Sequence, residues 1–156
     1  MKKIFSAVIV LALLLMCACC APSPVFKISD TLNEADYSVT PVETDGKGTT
    51  VYITTVNTVT DLSVNVMSYD WDSGDYTLKK TVLNKPSFEK NEALKVTLDM
   101  TPSQVPDHIK EKNPNFQAEY IPHVMIKYTK SDGTVFEQYI YKNSYDGKLW
   151  LLERDN

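Results

Sequence analysis

The sequence predicts an all-β domain, a two-layer antiparallel β-sandwich with one short crossover helix. Runs rich in Val, Ile, Thr and Tyr recur along the chain, and such side chains fit a pleated, half-buried surface. All five glycines stand at turn signals beside these runs, and only residues 106–112 have the start and stop signals of a helix. An α+β fold, a single sheet with a packed helix, is the alternative.

The predicted strands alternate with turns along the chain. A first strand is expected at Val25–Ser29, followed by a turn over residues 30–35. Asp-Gly pairs at 132–133 and 146–147 indicate β-hairpins, because type I′ turns need positive φ at both central residues. The remaining strands are predicted at Thr49–Val59, Leu62–Trp71, Tyr76–Leu83, Ala93–Met100, Pro122–Lys130, Thr134–Lys142 and Lys148–Leu152.

The last two turns also predict how the C-terminal strands pair. A two-residue loop at Asp132-Gly133 would place Ile126 opposite Tyr139. The next turn would then bring Tyr141 opposite Leu152. On this register, one face of the sheet carries Val124, Ile126, Tyr128, Tyr139 and Tyr141.

The hairpin around Ser73-Gly74 leaves two registers open. Leu62, Val64 and Val66 alternate as a core face, but Met67, Tyr69 and Trp71 form a second apolar row on the opposite face. A slip of one residue would exchange the two rows. A central strand that is covered on both faces would explain the pattern equally well.

The single helix is expected at Pro106–Lys112, with Pro at a tolerated N-terminal position and Pro114 beyond its end. It would form the crossover between the two sheets. The following segment, Phe116–Tyr120, resembles the tyrosine corner of immunoglobulin-like domains, although their usual Asp and inter-sheet cysteines are absent. The resemblance implies that the sandwich is immunoglobulin-like.

The first twenty residues have the features of an export signal. Lys2 and Lys3 precede an apolar run, Ile4–Met16, which is too short for the ~20 residues that a membrane-spanning helix needs. The cluster Cys17-Ala-Cys-Cys20 then resembles the lipobox of bacterial lipoproteins, and Cys19, directly after Ala18, fits best as the lipidated residue. Cys20 is the alternative, and an ordinary secretory signal cleaved after Ala21 is a second one.

We therefore divide the chain into a cleaved signal peptide (1–18), a lipidated cysteine with a short linker (19–24) and a β-sandwich domain (25–156). The resemblance implies a lipid anchor on the extracytoplasmic face of a bacterial membrane. Without Lys2 and Lys3, 14 of the 16 basic side chains remain against 20 acidic ones, a net charge of −6. This balance argues against nucleic-acid binding. All three cysteines precede residue 21, so the domain has no cysteine nucleophile and no disulfide.

The densest group of acids, Asp70, Asp72 and Asp75, is the candidate for a hard-cation site, since Ca²⁺ binds 6–8 oxygens. The EF-hand pattern fails, however, and acids at a hairpin tip are usually soluble turn formers. His108 and Glu111 share a helical face, but a catalytic zinc needs three protein ligands. We therefore expect no metal and no cofactor.

The aromatic content is the remaining indication of function, because Tyr and Trp are enriched at recognition surfaces. The sequence favours a non-enzymatic binding module for an unknown protein, small-molecule or glycan ligand, with a membrane contact only through the N-terminal lipid. A small envelope hydrolase that uses carboxylates is the alternative. The predicted ligand-binding residues are Met67, Tyr69, Trp71 and Tyr76.

Overall fold

The computed structural model describes residues 25–44, 46–99, 103–114, 120–143 and 146–153. The predicted signal peptide, the predicted lipidation site Cys19 and the linker 19–24 lie outside the described residues, as do the first four residues of the segment Phe116–Tyr120. The strands are β1 Phe26–Ser29, β2 Ser38–Val42, β3 Thr49–Thr55, β4 Val59–Tyr69, β5 Tyr76–Phe88, β6 Glu92–Leu98, β7 Val124–Thr129, β8 Val135–Lys142 and β9 Leu149–Glu153.

The strands form two sheets, one with the order β1-β3-β6-β2 and one with the order β5-β4-β7-β8-β9. The predicted two-layer sandwich is therefore confirmed, and the alternative of a single sheet with a packed helix is wrong. One short helix, α1, spans Asp107–Lys112 on the connection between β6 and β7, as predicted. None of its residues is buried, so it links the sheets without adding to the core. A 3-10 turn at Glu34–Asp36 precedes β2.

One strand departs from the expected antiparallel pattern. β2 runs parallel to β6, with Ser38 opposite Glu92 and Val42 opposite Val96. No strand was predicted at these residues. Pro41 lies within β2, which is tolerated because β2 is an edge strand and one side of its backbone needs no partner.

β2 is the second strand of the chain but lies at the edge of the four-stranded sheet, beside β6. β5 and β9 are the two edge strands of the five-stranded sheet.

The main core lies between the two sheets, where the inward-facing residues of each strand meet. Leu62 and Val64 are fully buried, so they provide the core face of β4, which decides between the two registers left open above. Three aromatic rings close one part of this core, with ring centres of Phe26 and Tyr128 4.7 Å apart and those of Phe26 and Phe88 6.2 Å apart. The other large buried members include Val51, Ile53, Leu94, Val96, Leu98, Val124, Ile126 and Ile140.

The predicted register of β7 and β8 is wrong by one residue. Ile126 lies opposite Gln138, and Tyr139 lies opposite Met125. The reason is the turn: the Lys130 N–H donates to the Thr134 carbonyl at 2.9 Å, which encloses a three-residue loop that ends in Gly133. Gly133 has a φ of 83°, as a type I turn followed by a left-handed residue requires.

The correction moves two tyrosines to the other side of the sheet, because neighbours along a strand point to opposite faces. Val124 and Ile126 do face the core, but Tyr139 and Tyr141 lie on the side turned away from the four-stranded sheet. We call this side of the five-stranded sheet the outer face. The next turn is also longer than predicted, so Tyr141 pairs with Trp150 rather than with Leu152.

Candidate functional site

Four aromatic side chains form a continuous row across the outer face. The ring centres are 5.2 Å apart for Trp71 and Tyr69, 5.0 Å for Tyr69 and Tyr76, and 4.8 Å for Tyr76 and Tyr139. Such spacings suit edge-on and tilted aromatic pairs. We call this row the aromatic ladder. It brings together three of the four predicted ligand-binding residues and adds Tyr139, which the sequence had placed on the core face.

The ladder is organised by the hairpin that joins β4 to β5. Tyr69 and Tyr76 are directly opposite each other as the last pair of the two strands. The Asp70 N–H donates to the Asp75 carbonyl at 2.8 Å, and Gly74, with a φ of 77°, completes the turn. Trp71 lies two residues after the end of β4, and its ring stands edge-on to that of Tyr69.

The fourth predicted residue, Met67, has a different place. Met67 is only 8 % exposed and packs in a small cluster with Met125 and Tyr139, against which Tyr76 also rests. Val66 pairs with core residue Val124, whereas Met67 points to the outer face, so the two adjacent residues are buried on opposite sides of the sheet. Met67 therefore supports the ladder from beneath.

The outer face also carries the most exposed large apolar side chains. Among the described residues, four large hydrophobic side chains are exposed, and strand pairing puts all of them on this face. They are Leu78 (60 % exposed), Val135 (55 %), Trp150 (49 %) and Leu152 (45 %). Trp150 and Leu152 are neighbours on one face of β9, whereas Leu78 on β5 and Val135 at the start of β8 stand apart from them.

An apolar groove lies at the end of the ladder. Its volume is about 210 Å³, and it runs between the tyrosines of β8 and the end of β9. Leu152 stands directly opposite Tyr139 and forms one wall. The lining residues are Tyr76, Pro122, Tyr139, Tyr141, Leu152 and Glu153.

A larger and more polar cleft of about 710 Å³ opens on the other side of the ladder. The β4 hairpin forms one wall with Met67, Ser68, Tyr69 and Trp71, so three of the four predicted ligand-binding residues line this cleft. Gly46 and Asp99, from loops of the four-stranded sheet, form another wall. The crossover segments on either side of α1 supply the rest of the lining: Ser103, Gln104, Ile121, Pro122 and His123.

Tyr120, the last residue of the segment that resembles a tyrosine corner, directly precedes Ile121 and Pro122 of the cleft lining. Its ring centre is 6.2 Å from that of His123, and its hydroxyl is buried without a hydrogen-bond partner among the described residues. Burial raises the pKa of Tyr120 far above its ordinary value, and the negative charge of Asp99 acts in the same direction. Tyr120 therefore stays a neutral phenol.

The acidic residues at the hairpin tip stabilise the turn. The Asp70 carboxylate accepts the backbone N–H groups of Asp72 at 2.8 Å and of Ser73 at 3.4 Å, and these bonds lower the pKa of Asp70. Asp72 in turn contacts the Nε2 atom of His108 in α1 at 3.0 Å, so His108 meets the hairpin. In the part of the chain that the structure describes, no group of three His, Cys, Asp or Glu is placed to hold a metal ion.

Comparisons with protein-family models, with curated proteins and with solved structures give no match for this chain. Of the described residues, none belongs to a helix long and apolar enough to cross a membrane.

Proposed function

We propose that the chain is a lipid-anchored lipoprotein of the bacterial cell envelope, whose sandwich domain is a non-enzymatic binding module. The aromatic ladder is the observation that carries the proposal. Trp71, Tyr69 and Tyr76 present partly exposed rings at the rim of a cleft and next to an apolar groove. Rigid aromatic side chains give large contact areas at a low entropic cost, which suits ligand recognition.

The position of the aromatic ladder suits a binding domain that is anchored to a membrane by its N-terminus. The chain enters the sandwich at Val25, whose carbonyl accepts the N–H of Val56 in the loop before β4. The eleven residues of β4 run from this end to Tyr69, a distance of ~35 Å at ~3.3 Å per residue. The ladder therefore lies at the opposite end from the N-terminal linker, where a membrane anchor leaves it accessible.

The anchor is tested by mass spectrometry of the mature protein from a bacterial host. We expect an acylated cysteine at the N-terminus, most simply Cys19, because the Met16–Cys20 segment resembles a lipobox. Two or more acyl chains hold a protein stably on a bilayer where one is marginal. An unmodified N-terminus at Pro22 would contradict the lipoprotein assignment.

The binding surface is tested with a thermal-shift panel of soluble glycan fragments and peptides. Native-state ligands raise the melting temperature, since binding stabilises by RT ln(1 + [L]/Kd). We expect the shift of a true ligand to disappear in Tyr76→Ala and to persist in Val135→Ala. Val135 is a matched control because it is exposed on the same face but at the start of β8, away from the ladder. A shift that survives Tyr76→Ala would place the site elsewhere.

A small envelope hydrolase is the alternative function, because Asp99 and His123 both line the cleft. Glycoside hydrolysis by carboxylates needs two of them, about 5–9.5 Å apart. Among the described lining residues Asp99 is the single carboxylate. If the hydrolase reading is correct, cleavage of a cell-wall substrate will be abolished by Asp99→Asn, whereas a pure binder will show no cleavage to abolish.

A further inference from the structure

The cleft of about 710 Å³ beside the aromatic ladder has a lining whose charge is negative. Asp99 is the one carboxylate among the described lining residues, which include no Lys and no Arg. His123 is the only one of them that can take up a proton to become positive. A cavity of this size is typical of small-molecule sites. The charge of the lining therefore favours a cationic ligand over an anionic one.

The backbone that carries the Asp99 carboxylate is held by a close contact between two loops. Asp99 directly follows β6 and is half-buried. A Cβ on Gly46 would lie 2.6 Å from the Asp99 backbone nitrogen, so the two backbones touch. The Thr44 hydroxyl fixes the approaching loop, because it donates to the Thr97 carbonyl and accepts the Gly46 N–H at 3.1 Å. Asp99 is therefore a fixed part of the cleft wall.

Two aromatic rings of the other wall suit a positive charge. The ring planes of Tyr69 and Trp71 are 85° apart and their centres 5.2 Å apart, so the two rings form a corner. Both residues line the cleft. The face of an aromatic ring is partially negative and attracts a cation within about 6 Å of the ring centre. Two rings at a right angle can therefore hold one ammonium group between them.

Further carboxylates surround the aromatic corner. Asp70, Asp72 and Asp75 belong to the hairpin turn that contains Trp71. Asp70 accepts N–H groups of the turn, and Asp72 contacts the Nε2 atom of His108 at 3.0 Å, so these two have structural roles. Their charges still contribute to the local field, and charges of one sign around a cleft concentrate ions of the opposite sign.

A sugar is the competing class of ligand, because Ser68, Ser103 and Gln104 in the lining can bond to hydroxyl groups. Hydrogen bonds of this kind replace bonds to water and contribute little net affinity. An ammonium group gains from the aromatic wall and from Asp99 at once, which makes it the better match.

We infer that the cleft is a binding site for an organic cation, whose ammonium or methylated ammonium group lies between the Tyr69–Trp71 corner and Asp99. The inference rests on the proposed binding function and names the class of its ligand. The rest of the cleft accommodates the body of the ligand, for which Ser103 and Gln104 offer polar groups.

The test is a titration of the ¹⁵N-labelled mature chain with Cys19→Ser, followed through the indole N–H signals. The chain has two tryptophans, Trp71 in the cleft and Trp150 on β9, so Trp150 is an internal reference. Choline is the probe for a methylated ammonium, and N-acetyl-lysine methylamide is the probe for a lysine side chain. The uncharged isostere of choline, 3,3-dimethylbutan-1-ol, is the control ligand. Ionic strength is held constant at about pH 8, above the ordinary pKa of histidine.

We expect choline or the lysine amide to shift the Trp71 signal to saturation, with a Kd of about 1 mM or lower, which is attainable for so small a ligand. The Trp150 signal should not move. The uncharged isostere should bind about tenfold more weakly or less, because it lacks the attraction to the ring faces and to Asp99. The tighter of the two cations shows whether the group is methylated.

Two variants test the charge of the lining. Asp99→Asn removes the carboxylate, and Gln104→Lys adds a positive charge at an exposed position, so each should weaken binding about fivefold or more. Asp61→Asn is the matched control, because it removes the same charge near the other end of β4 from Tyr69, at a φ of 52° that asparagine adopts readily. Equal weakening in Asp61→Asn would show that only the net charge of the domain acts, and the inference would be wrong.

The inference also fails if neither cation shifts Trp71, or if the uncharged isostere binds as tightly as choline. This failure is separate from that of the proposed function. A glycan or an uncharged peptide that raises the melting temperature of the wild type but not of Tyr76→Ala would show a binding module with a different class of ligand.

Discussion

Truncation of Trp71 tests whether the ladder is a recognition surface or part of the core. Trp71 is half-buried and lies edge-on to Tyr69, with ring centres 5.2 Å apart. An aromatic pair is worth ~0.5–1.5 kcal/mol beyond its buried area. Because Trp71 is only partly buried, we expect Trp71→Ala to lower the free energy of unfolding by ~1–2 kcal/mol, less than the truncation of a fully buried aromatic residue.

Phe88→Ala is the reference for a true core position. Phe88 is 0 % exposed and contacts Phe26 between the sheets. Its truncation should lower the free energy of unfolding by ~3–5 kcal/mol, because the lost transfer energy adds to the cost of a cavity.

Urea unfolding of the two variants and the wild type, followed by circular dichroism, measures both changes. The denaturant slope should stay the same, because neither change alters the surface that unfolding exposes by much. If Trp71→Ala loses as much stability as Phe88→Ala, Trp71 is a core residue and the ladder is not a binding surface. If the loss is small but ligand binding is weakened, Trp71 is a surface anchor.

Three further outcomes are expected. Chelation of calcium should leave the melting temperature unchanged, because the Asp70 carboxylate is already occupied by backbone N–H groups, and a fall of many degrees would contradict this. Gly46→Ala should lower the free energy of unfolding by ~1–3 kcal/mol, because the new Cβ would lie 2.6 Å from the backbone nitrogen of Asp99. An unchanged urea midpoint would show that the loop can move to accommodate the Cβ. Hydrogen bonds from Lys95 and Tyr52 hold the pKa of Glu34 below its ordinary 4.5. The ionised Glu34 carboxylate therefore stabilises the folded state above pH 4.5, and this stabilisation is lost as the pH falls through the lower pKa of the folded state. Urea midpoints measured at descending pH should therefore fall less steeply in Glu34→Gln than in the wild type.

Local patterns were sufficient to predict most strands, but not which face of each strand is buried. Alternation at Leu62, Val64 and Val66 offered one of the open registers for β4, and the structure shows that these residues are buried. The proline signals around residues 106–112 also placed the crossover helix correctly. These features depend on side chains close in the sequence, which is why a sequence alone predicts them.

Pairings that depend on the turn type could not be predicted in the same way. Asp132-Gly133 is compatible with a two-residue loop and with a three-residue loop that ends in the glycine. The difference of one residue puts Tyr139 on the outer face instead of the core face. β2 was not predicted, because its partner strand β6 is distant in the sequence and no hairpin turn links the two strands.

The candidate site was predictable only where it is local. Tyr69, Trp71 and Tyr76 belong to one hairpin, so the sequence could group them. Tyr139 comes from a strand more than sixty residues later, and its ring centre is 4.8 Å from that of Tyr76. Nothing in the spacing of these residues signals that contact, because it depends on the order β5-β4-β7-β8 within the sheet.

The two outer surfaces of the sandwich differ in a way that favours recognition on one side. On the four-stranded sheet, Lys95 binds Glu34 at 2.8 Å, and the Tyr52 hydroxyl donates to the same carboxylate at 2.6 Å. Polar outward residues are what strand alternation predicts for a solvent-facing sheet. The five-stranded sheet breaks this rule with the ladder and with exposed Trp150 and Leu152. Natural sequences break such local rules mainly at functional sites, so the outer face is where binding should be sought first.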